Sequence, residues 1–193
     1  VRYERFDLET SSPLPERRNI WQTVVHIGTD LRAETALVWS LRYFDMVAPA
    51  VVVRWAEQWA AREEGVGAVI DLAMMSDPLA DDLDRALDSL TEQVGLPPIS
   101  TEDAIRVVSV GVARRLECGE TTPYESAREL WDLADLSPVT WPELSPFVFY
   151  ASEWEDDITH RAAYEQGIRE ACSHLLDAAG SHPTPTTDEG PTP

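Results

Sequence analysis

Asp157 and His160 stand three residues apart at the end of a run that also holds Glu153, Glu155 and Asp156, so a carboxylate and an imidazole share a helical face beside further carboxylates. These residue types at this spacing suit a divalent metal. Di-iron bundles take a Glu-x-x-His pair from each of two helices and a Glu from each of two others. Here the set is half present: the other histidines are His26, His174 and His182, and Thr23 and Ala171 occupy the places three residues before the first two. A carboxylate-bridged metalloprotein using Glu153, Asp157 and His160 is therefore the enzyme alternative, and the main expectation is a protein without a cofactor. The sequence carries no glycine-rich phosphate loop, nucleophile elbow, paired-cysteine zinc spacing or His-Glu-x-x-His. It names no catalytic residue.

The same run reads differently as a surface. Glu153, Glu155, Asp156 and Asp157 surround Trp154, and no arginine falls between positions 143 and 159. Like charges this close repel one another, and a basic partner would relieve that repulsion. A tryptophan among carboxylates suits a protein interface, where the ring anchors and the charge steers the encounter. Trp141 is the expected aromatic companion. A secondary acidic face is Asp81, Asp82, Asp84 and Asp88, answered within its helix by Arg85, with a solvated helix face as the competing reading.

The whole chain shares this bias. Its 193 residues carry 15 basic and 35 acidic side chains, a formal net charge of −20, and every basic residue is arginine. The lack of lysine accords with the codon usage of a GC-rich genome, since Ala, Arg, Val, Asp and Pro are plentiful. Such a field repels nucleic acid and anionic membranes and attracts basic proteins, so direct nucleic-acid binding is not expected. The hydrophobic share of 44% separates the chain from disordered acidic polymers. With no charged-then-apolar leader and no apolar run of about 18 residues, neither secretion nor membrane insertion is indicated, and a cytoplasmic setting is expected. Cys118 and Cys172 are expected as buried free thiols.

The elements that must position these residues are helices. Residues 1–29 read as an irregular arm containing one strand-like run, IWQTVVHI at 20–27. Residues 30–180 read as a single helical domain, and residues 181–193 as a disordered Pro/Thr tail. Asp30 is placed to cap the first helix, with Ala33, Ala36, Leu37, Trp39, Ser40 and Phe44 on its inner face. Pro49 opens the second, Gly65 and Gly67 end it, and the apolar segment 66–75 predicts a helix buried on all sides. Asp77-Pro78 predicts a cap and first turn ahead of Leu79, Leu83, Leu87, Leu90 and Val94. Ser100 or Thr101 caps the next helix, which Gly119 ends. Thr122-Pro123-Tyr124-Glu125 and Thr140-Trp141-Pro142-Glu143 both read as capping boxes with an early proline. The last helix carries the stripe Ile168, Ala171, Cys172, Leu175, Leu176 and Ala179, closed by Gly180. The fold class expected is all-α, seven to eight helices in antiparallel hairpins forming a layered bundle. Pro49 with Trp55-Ala56 and Asp71-Leu72-Ala73 is echoed by Pro123 with Trp131 and Asp132-Leu133-Ala134. Either a degenerate two-fold repeat or a chance likeness of amphipathic helices accounts for the echo.

Gly119-Glu120-x-x-Pro123, then Ala127, Leu130-Trp131, Phe147 and Glu153-Trp154-Glu155-Asp156, resembles small acidic helical bacterial proteins, uncharacterised ones or immunity proteins of polymorphic toxin systems. The likeness spans roughly residues 105 to 178. It implies an immunity or inhibitor protein that occludes a basic partner such as a nuclease toxin, its carboxylates pairing with side chains that otherwise contact phosphates. A phage-type nucleic-acid mimic would use the same physics on a different partner.

Overall fold

Several helix ends in this chain are fixed by local chemistry, and the described residues form eight α-helices. The computed structural model describes residues 30–62 and 67–181. The arm, its strand-like run with Trp21 and His26, and the tail from residue 182 onward, with His182, lie outside the described residues. The helices are α1 Leu31–Tyr43, α2 Pro49–Ala60, α3 Gly67–Ala73, α4 Ala80–Gln93, α5 Thr101–Glu117, α6 Pro123–Leu136, α7 Ser145–Asp156 and α8 Arg161–Ser181, with 3-10 turns at Pro142–Leu144 and Ile158–His160. No strand occurs among the described residues, and the fold is an all-α bundle. The central helix, α5, packs against α1, α6 and α8. Helix α4 lies on α1 and α3, and α2 lies on α3.

Several ends follow the sequence code. Asp30 accepts from the Arg32 amide at the start of α1, and Ser100 from the Asp103 amide at the start of α5. Thr122 and Glu125 close a reciprocal capping box on α6. Gly119 follows α5 with φ +76°, a conformation that costs glycine little. Other ends depart from it. No box forms at Thr140: Trp141 precedes a 3-10 turn without a side-chain cap, because Pro142 and Pro146 lie four residues apart and the chain turns between them before α7 begins. Helix α4 starts at Ala80 behind an extended Leu79, with Asp77 at φ +50°, so Pro78 precedes the helix and Leu79 is 73% exposed. Helix α8 runs through Gly180 to Ser181.

Packing corrects three further expectations. Helix α3 buries Ala68, Val69 and Leu72 but exposes Ile70 and Met74, so it lies on the bundle surface. Cys118 caps the C-terminus of α5 in the open, whereas Cys172 is buried and desolvation pushes its thiol up to about 12. The buried face of α1 is Glu34, Thr35, Leu37, Val38, Ser40 and Leu41, leaving Ala33 exposed and Trp39 half-buried. That rotation puts a carboxylate inside. Glu34, 3% exposed, accepts from Trp55 Nε1 at 2.9 Å and Trp59 Nε1 at 2.5 Å. The two indoles sit four residues apart on α2, one turn on the same face, and a single carboxylate satisfies both N–H groups.

A second buried carboxylate joins α5 to α6. Arg115 Nη1 donates to Glu129 Oε2 at 2.9 Å and Oε1 at 3.2 Å, and Arg115 Nε lies 4.0 Å from Glu120. Burial pushes the Glu129 carboxyl up to about 7; Arg115 pulls it down, while Glu125 and Asp132 add to the rise. Between an unfolded value of 4.5 and about 7, the native state holds a proton that the unfolded chain releases. Stability therefore falls as pH rises through that window and levels off above it. The shift corresponds to on the order of 3 kcal/mol. Chemical denaturation from pH 4.5 to 8 should show this decline, and Glu129→Gln should remove most of it; an equal slope in the variant would assign the decline to other carboxylates.

Helices α7 and α8 meet at a glycine. A Cβ on Gly167 would lie 2.5 Å from Tyr150 Cζ, so the phenol ring rests on bare backbone. Gly167→Ala should lower stability by about 1–3 kcal/mol through overpacking, despite the better helix propensity of alanine. Thermal unfolding of the variant with and without Tyr150→Leu checks this: the second change should recover most of the loss.

Candidate functional site

The run around Trp154 is arranged as a network. Trp154 stacks on Tyr124 of α6, ring centroids 4.0 Å apart and planes at 20°, and the Arg161 guanidinium covers the ring at 3.8 Å. Its indole N–H donates to Glu165 Oε1 at 3.3 Å, and Arg161 Nε donates to its carbonyl at 2.9 Å. Tyr124 Oη donates to Glu155 Oε1 at 2.5 Å, and Arg128 approaches the same oxygen at 3.7 Å. Desolvation and this carboxylate raise the Tyr124 phenol. Asp157 accepts from the Thr159 amide at 2.9 Å, and its Oδ2 meets His160 Nδ1 at 2.6 Å and the Tyr164 hydroxyl at 3.3 Å. The His160 hydrogen bond, ahead of the backbone amides, lowers the Asp157 carboxyl.

The expectation of an unanswered acidic cluster is thus corrected. The arginines missing from the linear stretch arrive from α6 and α8, while Glu153 and Asp156 make no ion pair among the described residues. Asp157 and His160 spend their facing atoms on each other, and no group of three or more metal-binding side chains converges among the described residues. Trp141 stands apart. It precedes the 3-10 turn that leads into α7, near the Arg106 guanidinium at 5.9 Å, whereas Trp154 lies in the last turn of that helix. At about 1.5 Å per residue the helix separates them by roughly 15 Å. They do not form one site.

The secondary acidic face divides. Asp82 pairs with Arg85, and Asp81 points to solvent. Asp84 and Asp88 turn toward α1 and line a cleft of 350 Å³ with Trp39, Arg42, Tyr43, Asp45 and Leu87. Trp39 and Tyr43 stack at 5.4 Å and 16° as its wall, and the Trp39 indole donates to Asp88 at 3.1 Å. Tyr43 is 49% exposed, braced by an edge contact to Phe44 at 5.0 Å and a hydroxyl bond to Thr101 at 2.9 Å. Arg42 forms the floor. Its Nη1 holds Asp45 at 2.9 Å, and its Nη2 donates to Asp84 Oδ2 at 3.4 Å. Arg42 Nε lies 2.9 Å from Asp84 Oδ1, a charge contact outside hydrogen-bond geometry. Asp45 at φ +54° ends the turn after α1 and aims its carboxylate back at Arg42. Three carboxylates against one arginine, beside an exposed aromatic face, leave a concave surface of net negative charge.

Sequence reasoning missed Asp45 and Tyr43 here. The signal was present in Arg42-Tyr43-Phe44-Asp45, a cation and two rings at a helix end, but only the packing of α4 on α1 brings Asp84 and Asp88 to it.

The two surfaces should respond oppositely to truncation. Trp154→Ala should destabilise the fold by about 2–3 kcal/mol, since it removes a ring packed between α6 and α8. Asp84→Asn with Asp88→Asn should leave the thermal midpoint within a few degrees of the parent. Calorimetry of both variants checks this, and a stable Trp154→Ala protein would free that ring for a partner. No family model, curated protein or solved structure matches the chain, so what it binds is read from the geometry of these two surfaces.

Proposed function

We propose that the protein is an acidic binding module that captures a basic protein partner and occludes it, as an immunity or inhibitor protein does. The observation that carries this reading is the cleft between α1 and α4. Its carboxylates Asp45, Asp84 and Asp88 and its Trp39–Tyr43 wall suit an arginine or lysine side chain, which gains both charge pairing and ring contact. The net charge of −20 supplies long-range attraction for a partner of opposite sign. The resemblance of residues 105 to 178 to small acidic helical bacterial proteins, uncharacterised ones or immunity proteins, belongs to the same reading. In this reading the cleft anchors the partner. Glu153 and Asp156, with Glu155 and Asp157 behind them, extend the acidic field on the α7 side, and Trp154 serves the fold that carries them.

No helix among the described residues is long and apolar enough to cross a membrane. The proposed setting is the cytoplasm, with a toxin of the same cell as the partner.

The test is co-expression with the product of the neighbouring reading frame, followed by titration calorimetry at two salt concentrations. The reading expects a complex whose affinity falls with salt and drops at least about tenfold in Asp84→Asn/Asp88→Asn, in line with the loss of buried charge pairs. No complex would overturn the immunity role. A complex indifferent to salt and to both substitutions would overturn the cleft as its anchor.

A further inference from the structure

An arginine laid over an indole recurs in this fold. Arg62 lies 4.8 Å from the Trp59 ring centroid, Arg128 4.4 Å from that of Trp131, and Arg161 3.8 Å from that of Trp154. The Arg128 unit carries acids as well. While its guanidinium covers the indole, Nη2 faces Asp132 of α6 at 3.8 Å and Nη1 faces Glu155 of α7 at 3.7 Å. The flat cation gives its face to the ring and its edge N–H groups to carboxylates from two elements.

The cleft between α1 and α4 holds the same parts without the cation over the ring. Trp39 and Tyr43 supply the aromatic wall, Asp45 follows α1, and Asp88 stands on α4. Among the described residues no guanidinium covers Trp39 or Tyr43, and Arg42 on the floor is directed at Asp45 and Asp84 instead. The acceptors are unevenly used. Asp84 gives both oxygens to Arg42. Asp45 bonds through Oδ1 to Arg42, and Asp88 through Oδ1 to the Trp39 indole, so that neither Oδ2 has a partner among the described residues. The indole bond also holds the ring and the Asp88 carboxylate side by side.

We infer that this cleft is a guanidinium site, which takes an arginine side chain of the partner protein in preference to a lysine. The guanidinium plane lies against the exposed Tyr43 ring, and Oδ2 of Asp45 and of Asp88 accept its N–H groups. The inference rests on the reading of the protein as an acidic capture module and names the residue that it captures. Charge alone does not separate the two cations. Shape and hydration do: a guanidinium carries five N–H donors in one plane and sheds water readily, so it can stack on a ring and reach two separate acids at once. An ammonium is a compact, strongly hydrated point charge with three donors, and holding one acid and the ring face leaves the second acid unmet.

Titration of the isotopically labelled protein with acetyl-Gly-Arg-Gly-amide and with acetyl-Gly-Lys-Gly-amide, at one ionic strength, tests this by nuclear magnetic resonance. Both peptides should shift the Trp39 indole and the Asp45 and Asp88 carboxyls, with a Kd at least about fivefold lower for the arginine peptide. Tyr43→Leu should erase most of that preference and leave the affinity for the lysine peptide within about twofold. Asp45→Asn, at φ +54° where asparagine is tolerated, should weaken the arginine peptide more than the lysine peptide. Equal affinities with the cleft resonances moving would overturn the guanidinium preference and leave acidic capture standing. A preference that survives both substitutions would overturn the stacked, forked geometry. Shifts that avoid the cleft with both peptides would overturn the reading on which the inference rests.

Discussion

Carboxylates outnumber arginines 35 to 15 in this chain, and that imbalance constrains the rest of the structure. An acid that leaves water needs a donor, and with so few cations several arginines serve more than one purpose. Arg42 ties Asp45 to Asp84 and so fastens the end of α1 to α4. Arg115 neutralises Glu129 inside the bundle and reaches toward Glu120. Arg128 lies between Asp132 and Glu155 and also covers the Trp131 ring at 4.4 Å. Arg161 caps Trp154 and binds its carbonyl. Indoles serve as donors as well: Glu34 accepts from two tryptophan N–H groups, and Asp88 from a third. Replacing Arg115 would strand Glu129, a carboxylate that burial already disfavours.

The same constraint sorts functional from architectural acids. Around Trp154 the donors lie in close contact, the indole is covered by Tyr124 and Arg161, and the network ties α6 to α7 and α8. Between α1 and α4 one arginine faces three carboxylates, an aromatic face stays open, and the surface is concave. Charge paired within the fold contributes less to steering a partner than charge left in excess beside an exposed ring.

Much of the fold was legible because it was written locally. Asp30, Ser100 and the Thr122–Glu125 box are short-range signals whose partners lie within three residues, and each appears as read. The proline signals at 77–78 and 140–143 failed because a proline fits an extended approach to a helix as well as its first turn. The site was legible only in part. The sequence marked Asp84 and Asp88 as an acidic face and missed Asp45 and Tyr43, because their grouping depends on α4 crossing α1. It read the run at 153–157 as unanswered because Arg128 and Arg161 are distant or just beyond it in sequence. Glu34 looked like a first-turn acid favoured by the helix dipole, and nothing local shows that Trp55 and Trp59 receive it.

The account's central claim is that the excess charge useful for binding lies between α1 and α4. Titrating the isotopically labelled protein with an arginine-rich peptide at low salt and following the indole and carboxyl resonances tests it most directly. The account predicts that Trp39, Asp45, Asp84 and Asp88 shift first and together, that added salt reverses the change, and that Trp154 and Glu155 hold their positions. Shifts led by Trp154 and Glu155, or spread evenly over all the acidic faces, would contradict it.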